Sequence, residues 1–354
     1  MSKTYRVGIA GVTHGHVSAH LREWKEVPNA HLVALADANA AERQRYVTRY
    51  EVEAIRQYDS IPQLLDREEL DVISVCTETS NHARVVEAAA ARGIHCIVEK
   101  PLAFALADAE RMLTAAGKYG VQVATNYPSR WGGRATPRAL EFVRRGGIGR
   151  PYEVRHRGGG TKPRAIDANT FFQWLYQPPA NGAGAFMDYC CYGVDMAVGV
   201  LGMPTSVYAI AGRWQRTDLI TDDNARMLLQ YQRGGALVEA TWSQFGHLPF
   251  STFFLGEEAT LALSDRGAVL YNAANEKEGG RELALDDLPA PADERSLPAH
   301  LVASLERGQP VIESAGVAFH RDVTEVLDAG LRSVRTGQVA HLPLPLPLMQ
   351  AADW

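Results

Sequence analysis

The sequence predicts an α/β protein in two parts: a parallel sheet with helices on both faces, then a region in which strands run antiparallel. Three observations lead there. Short apolar runs alternate with amphipathic stretches from the amino terminus to about residue 125, the signature of a parallel sheet. Beyond Asn126 that alternation stops and strand-like runs follow one another closely. A Gly234-Gly235 pair between two of those runs reads as the turn of a hairpin.

Taken in order, Val7-Gly8-Ile9-Ala10 is a buried strand, Gly11 to His16 a turn, and an amphipathic helix follows to about Val27. Pro28-Asn29 turns the chain into a second strand, His31 to Ala36, which ends at Asp37. A polar helix rich in Arg and Glu reaches Tyr50. Val72 to Cys76 is the next strand, and the helix from Asn81 to Arg92 is stopped by Gly93. His95-Cys96-Ile97-Val98 is a short apolar run that delivers Glu99-Lys100-Pro101. Proline cannot continue a central ladder and biases its predecessor away from helix. Glu99 and Lys100 therefore belong at the carboxyl end of a strand, the edge where open α/β sheets bind ligands. Another helix ends near Tyr119, and Gly120 leads into Val121 to Thr125.

In the remainder, helices are expected at Thr136 to Arg145, Gly182 to Leu201, Ser296 to Arg307 and Gly316 to Thr336. Strands are expected at Tyr152 to Arg157, Val207 to Arg213, Ala225 to Tyr231 and Ala236 to Ser243. The tail from Leu342 to Pro347 alternates Leu and Pro and reads as extended. The boundary falls near residue 125, giving units 1–125 and 126–354 with no linker-like stretch between them.

Bulk properties agree. A chain of 354 residues has room for two cores, and 46% hydrophobic with 22% charged residues is ordinary for a globular protein. The net charge of -5 with no basic block argues against nucleic acid as a partner. No window is apolar enough for a spanning helix, so no membrane partner is expected. Met1 to Arg6 run straight into a strand-like segment, and Cys76, Cys96, Cys190 and Cys191 lack zinc spacing. These features point to reduced thiols in a cytoplasmic protein.

Gly11 follows the first strand and precedes a helix, as a dinucleotide-binding turn requires. The N–H groups at that helix start would face a pyrophosphate. Thr13 and His16 stand where the fingerprint has its second and third glycines, and Gly15 supplies room one residue early. His14 and His16 are placed to line the cofactor cleft or contact a phosphate; no further ligand for a metal is readable beside them, so no metal is expected. Asp37, at the end of the second strand, suits the adenosine ribose 2′-OH and repels a 2′-phosphate, which favours NAD over NADP.

Gly182 to Asp195 carries the other half of the chemistry: on a helix Asp188, Tyr192 and Asp195 share one face. The order Gly-turn, Asp37, Thr77 to His82, Glu99-Lys100-Pro101, then Gly182 to Asp195 resembles the Gfo/Idh/MocA family of NAD(P)-dependent sugar and polyol oxidoreductases. The likeness runs over nearly the whole chain. It implies an N-terminal Rossmann domain plus a C-terminal α/β domain with an open, mostly antiparallel mixed sheet. By the same resemblance Lys100 matches the catalytic lysine, Glu99 a residue near the nicotinamide ribose, and Thr77, Asn81 and His82 the segment under the cofactor. Asp188 matches the family's second-domain aspartate, and Arg130 the arginine just after the domain crossover. Two positions depart from the pattern. Tyr192 replaces the usual histidine, as in the glucose–fructose oxidoreductase branch, and Glu78 stands where proline is common.

The resemblance implies hydride transfer between a nicotinamide cofactor and a sugar, polyol or related hydroxy or keto compound, with Lys100, Asp188 and Tyr192 as the catalytic set. An unperturbed tyrosine titrates near a pH of about 10, so Tyr192 tilts the site towards carbonyl reduction. Two other readings stay open: an NAD-dependent glycosidase or lyase working by transient sugar oxidation, and a non-catalytic NAD-binding regulator. For the substrate, His156, Arg157, Lys162, Arg164, Asp167, Phe172 and Trp174 lie in a glycine-rich stretch that suits a sugar ring. The resemblance also implies a homo-dimer or homo-tetramer.

Overall fold

The computed structural model describes residues 3–52, 54–131, 135–246, 248, 249, 251–264, 267–290 and 295–345. Leu346 and Pro347, the end of the expected extended tail, lie outside them.

The first sheet has six strands: β1 (Tyr5–Ala10), β2 (Ala30–Ala36), β3 (Arg56–Tyr58), β4 (Val72–Val75), β5 (His95–Glu99) and β6 (Val123–Asn126). Their order is β3-β2-β1-β4-β5-β6, with every pairing parallel. Side chains alternate across it. Val7, Ile9, Leu35, Val72 and Ile97 face α1 (Val17–Lys25) and α2 (Ala40–Arg49). Ala10, Ala36, Ile73, Val75, Cys96 and Val98 face α3 (Ile61–Arg67), α4 (His82–Ala90) and α5 (Leu106–Tyr119). Burial on both faces is why β1, β4 and β5 read as apolar runs. Gly120, in the left-handed region at φ 65°, ends α5 where the sequence places a stop.

After β6 the chain forms α6 (Ala135–Arg144) and enters the second sheet at β7 (Pro151–Gly159). Two short helices follow, α7 (Thr170–Leu175) and α8 (Pro178–Asn181), then a π-helical turn (Phe186–Cys190) that runs into α9 (Cys191–Leu201). The rest of the sheet is β8 (Ser206–Gly212), β9 (Asn224–Tyr231), β10 (Gly234–Thr241), β11 (Thr252–Gly256), β12 (Ala259–Ser264), β13 (Gly267–Asn272), β14 (Arg281–Leu283) and β15 (Ala340–His341). Its order is β14-β13-β12-β11-β7-β10-β9-β8-β15, and among the described residues β7 with β10 is its one parallel pair. The open, mostly antiparallel mixed sheet implied by the resemblance is present. One face carries Val154, Met227, Val238 and Phe254 into the core; the other leaves Tyr208, Ile210 and Leu228 exposed.

One expectation is corrected. The hairpin of β9 and β10 turns at Gln232-Arg233, because Gly234 already pairs with Tyr231. Gly234 marks a close approach instead: a Cβ there would stand 2.0 Å from the Tyr152 carbonyl oxygen of β7. The chain also returns to its first sheet. In α10 (Leu297–Glu306), Leu297, Leu301 and Val302 join the core of Val7 and Ile9. The long α11 (Val317–Thr336) packs against α5, α9 and β8.

Candidate active site

Strand order reverses between β1 and β4, which opens a crevice at the carboxyl ends of the first sheet. The β1–α1 loop lines it. Gly11 sits at φ 85°, where a Cβ would meet Thr77 Cγ2 at 2.8 Å and the Cys76 carbonyl oxygen at 3.0 Å, so only glycine fits. Asp37 braces the loop: Oδ2 accepts the Val12 N–H at 2.8 Å and the Thr13 hydroxyl at 3.4 Å, and Oδ1 accepts the Asn39 N–H at 2.8 Å. The N–H groups of Thr13 and Gly15 have no acceptor among the described residues, which leaves donors at the helix start for an anion. This loop, with a half-buried carboxylate at the end of β2, fits a dinucleotide despite the two missing glycines.

The histidines of the loop do different work. His14 is buried against Phe171 and Trp174, with ring centroids at 5.4 and 5.5 Å, and its Nδ1 accepts the His16 N–H at 3.2 Å. Burial lowers its pKa well below the usual value. Trp174 also donates to the Thr13 carbonyl at 3.1 Å, so α7 lies over the loop. His16, at the fingerprint's third glycine position, bonds through Nδ1 to Glu99 Oε2 at 2.9 Å.

Glu99 is fully buried and saturated. Besides His16 it holds His20 Nε2 at 2.7 Å, the Asn126 amide at 2.7 Å and the Lys100 N–H at 3.2 Å. Burial alone would raise its pKa, but His16, His20 and His14 draw it well below the usual value. Burial likewise opposes charge on His20, and Cys76 with Glu99 outweighs it, holding the imidazole well above its ordinary value. Ligand-type atoms of His14, His16 and Glu99 come within 4.8 Å of one another, a proximity that sequence alone did not reveal.

Lys100 leaves the end of β5 and crosses to the second sheet's helices. Its Nζ donates to Asp188 Oδ1 at 2.8 Å and to the Asp188 carbonyl at 3.0 Å, and lies 4.9 Å from the centroid of the Tyr192 ring. Burial disfavours its charge, yet Asp188 reverses the balance and raises the pKa well above normal. Asp188 is held far below the usual carboxylate range: burial pushes upward, and Lys100, Lys162 and the Trp242 indole outweigh it. Trp242 Nε1 donates to Oδ2 at 3.0 Å. Burial raises the Tyr192 phenol well above its ordinary value against the opposing pull of Lys100. Asp222 starts this helical segment by accepting the Gly184 and Phe186 N–H groups at 2.6 and 2.7 Å.

A cavity of about 430 Å³ opens beside this cluster, with Tyr189, Tyr192, His156, Arg157, Thr252 and Gln244 among its walls. His156 Nδ1 bonds to Thr252 Oγ1 at 2.9 Å, and its buried Nε2 has no partner among the described residues.

The other expected residues are held by the surrounding protein. His82 is fully buried, with its nitrogens at the Leu102 and Thr77 carbonyls (3.0 and 3.4 Å), so it is a strut beneath the crevice. Thr77 is buried beside Gly11, and Asn81 bonds locally to Glu78. Arg130 is paired with Asp195 at 2.7 Å and ties the crossover to α9. Sequence reading did not single out Trp242 or Asp222, because neither carries a local pattern; each meets Asp188 or its helix only through the sheet.

Comparison with known proteins agrees with this architecture. Residues 5–127 match an oxidoreductase family described by its NAD-binding Rossmann fold, and residues 137–262 match the GFO/IDH/MocA C-terminal domain. The chain is 34% identical over 135 residues to D-apiose dehydrogenase of Paraburkholderia graminis, covering 38% of this chain and 35% of that protein. It is 26% identical over 337 residues to 1,5-anhydro-D-fructose reductase of Ensifer adhaerens, covering 91% and 95%. The match thus spans about a third of the first relative and nearly all of the second. Among solved structures, levoglucosan dehydrogenase in complex with NADH and levoglucosan shares the fold with a TM-score of 0.82 at 20% identity, over 97% of this chain and 100% of that one. Both family domains occur here in order, and Lys100 past the end of β5 meets Asp188 in the helical turn before α9: the chain belongs to the Gfo/Idh/MocA oxidoreductase family.

Proposed function

We propose that this protein transfers a hydride between NAD and a sugar or polyol, with Lys100, Asp188 and Tyr192 as its catalytic residues. The observation that carries the reading is the buried Lys100–Asp188 contact at 2.8 Å between the two units, with the Tyr192 ring beneath the ammonium. Asp188 keeps Lys100 charged and uses two of its N–H bonds; the third donates to the substrate oxygen. In reduction that charge draws electron density onto the carbonyl oxygen. The protonated Tyr192 phenol then supplies the proton, a step typically worth about 10² to 10⁴ in rate. In oxidation the same groups act in reverse. The nicotinamide cofactor supplies or accepts the hydride at carbon. Asp37, Gly11, Thr13 and His14 would hold it with the buried Glu99 network, and the Asp37 carboxylate supports NAD over NADP.

The exposed Tyr208, Ile210 and Leu228 on the outer sheet face support assembly into a homo-dimer or homo-tetramer. No described helix is long and apolar enough to cross a membrane. The four unpaired, buried cysteines support a reducing, cytoplasmic location.

Lys100→Ala and Tyr192→Phe, assayed with NADH and a panel of ketoses and aldoses, test the assignment. Loss of turnover with NADH binding retained is expected. Full turnover in both variants would remove these residues from the chemistry.

A further inference from the structure

A second ammonium stands on the other side of the Asp188 carboxylate. Lys162 Nζ lies 3.7 Å from Asp188 Oδ2, opposite the oxygen that Lys100 holds. It donates to the Tyr189 hydroxyl at 2.8 Å and lies 4.7 Å from the Tyr189 ring centroid and 5.8 Å from that of Phe172. Its backbone is clamped. The Lys162 N–H donates to the Trp242 carbonyl at 3.2 Å, and Arg216 donates to the carbonyls of Lys162 and Pro163 at 2.9 and 2.8 Å. Asp218 fixes that arginine with two contacts of 2.7 Å. With 15% of its side chain exposed, this lysine is held in place and is no solvated surface chain.

The charges around Asp188 do not balance. One carboxylate faces two lysines, and Trp242 takes the shorter bond to Oδ2. At 3.7 Å the Lys162 contact is coulombic and not a hydrogen bond. Lys162 therefore carries partly uncompensated positive charge behind the cavity wall that Tyr189 forms, in a chain whose net charge is -5. Such a charge is costly to bury without an anion. Tyr189 accepts from Lys162 and keeps its own O–H to donate onward. The two ammonium groups are separated by no more than one carboxylate and its two contacts, a span that a single hexose bridges from a ring hydroxyl to a carboxyl at its end.

We propose that Tyr189, with the Lys162 charge behind it, forms a subsite for a substrate carboxylate, so that the substrates are sugar acids such as uronates or aldonates. This rests on the hydride-transfer reading, and both are tested together but read separately. Calorimetry measures D-glucuronate against D-glucose, and D-galacturonate against D-galactose, on the NADH-loaded protein; NADH formation from NAD is followed with the same four compounds. The acids bind at least about tenfold more tightly than their neutral counterparts. Lys162→Met erases that preference, Lys162→Arg keeps most of it, and Tyr189→Phe lowers it several-fold. Equal binding of acid and neutral sugar to the unaltered protein, or a Lys162→Met variant that weakens both alike, overturns the subsite and makes Lys162 a mere prop for Asp188. Preferred binding of acids without NADH formation leaves the subsite and sinks hydride transfer. Oxidation of neutral sugars without preference for acids does the reverse.

Discussion

Lys100 and Asp188 are 88 residues apart in the chain, and their charged groups meet at 2.8 Å in a site where neither side chain is more than 8% exposed. A pair buried this deeply does little for stability as a pair, but removing one member strands the other. Asp188→Asn leaves the Lys100 ammonium buried against a neutral amide. It should cost about 3 to 5 kcal/mol in urea unfolding and abolish turnover. Adding Lys100→Met to that variant restores part of the stability and none of the activity. A single variant as stable as the parent would show that solvent reaches the Lys100 ammonium well enough to compensate its charge.

Gly11→Ala tests the crevice floor. The native φ of 85° suits glycine, and the added methyl meets Thr77 and the backbone of Cys76 at 2.8 to 3.0 Å. Strain of about 1 to 3 kcal/mol is expected. NADH affinity, read by fluorescence titration, falls with it because the Thr13 and Gly15 N–H groups shift. Unchanged affinity would place the dinucleotide elsewhere.

These two sites were unequally legible. Glu99-Lys100-Pro101 could be placed from sequence because an apolar run and a proline are both local signals, and β5 ends at Glu99. The alternation of the first sheet was visible because its inner strands are buried on both faces; the exposed edge strand β3 went unread. What stayed hidden is whatever depends on chain return. Three histidines gather on Glu99 through one helix and one loop, and α10 comes back to a core laid down by Val7 and Ile9. The strands β11 to β13 went unread, since Phe253 and Tyr271 lie on the partly exposed face and blur the alternation. The glycine pair at 234 misled because a glycine demanded by a crossing strand looks like one demanded by a turn.

Asp37→Ala separates bracing from recognition. The carboxylate holds the Val12 and Asn39 N–H groups, so its removal loosens the loop as well as deleting a ribose acceptor. Hydrogen bonds to charged groups are worth about 1.5 to 3 kcal/mol, so NADH affinity should fall about tenfold or more. NADPH affinity falls less, because the repulsion of a 2′-phosphate goes with the carboxylate. A parallel loss for both nucleotides would assign Asp37 to bracing alone.

His156 makes stability depend on pH with a definite sign. Burial lowers its imidazole to about 4, below the ordinary value of 6.5 expected once the chain unfolds. As pH falls, the unfolded chain takes up this proton first, so stability is full above 6.5 and drains away until the native group titrates near 4. At pH 5 this one group accounts for a loss of about 2 kcal/mol relative to neutral pH. His156→Gln keeps a partner for Thr252, 2.9 Å from the native ring, and cannot titrate. Urea midpoints at pH 7 and pH 5 should therefore differ less for the variant than for the parent. Identical differences would mean that the cavity hydrates His156 well enough to keep its pKa ordinary.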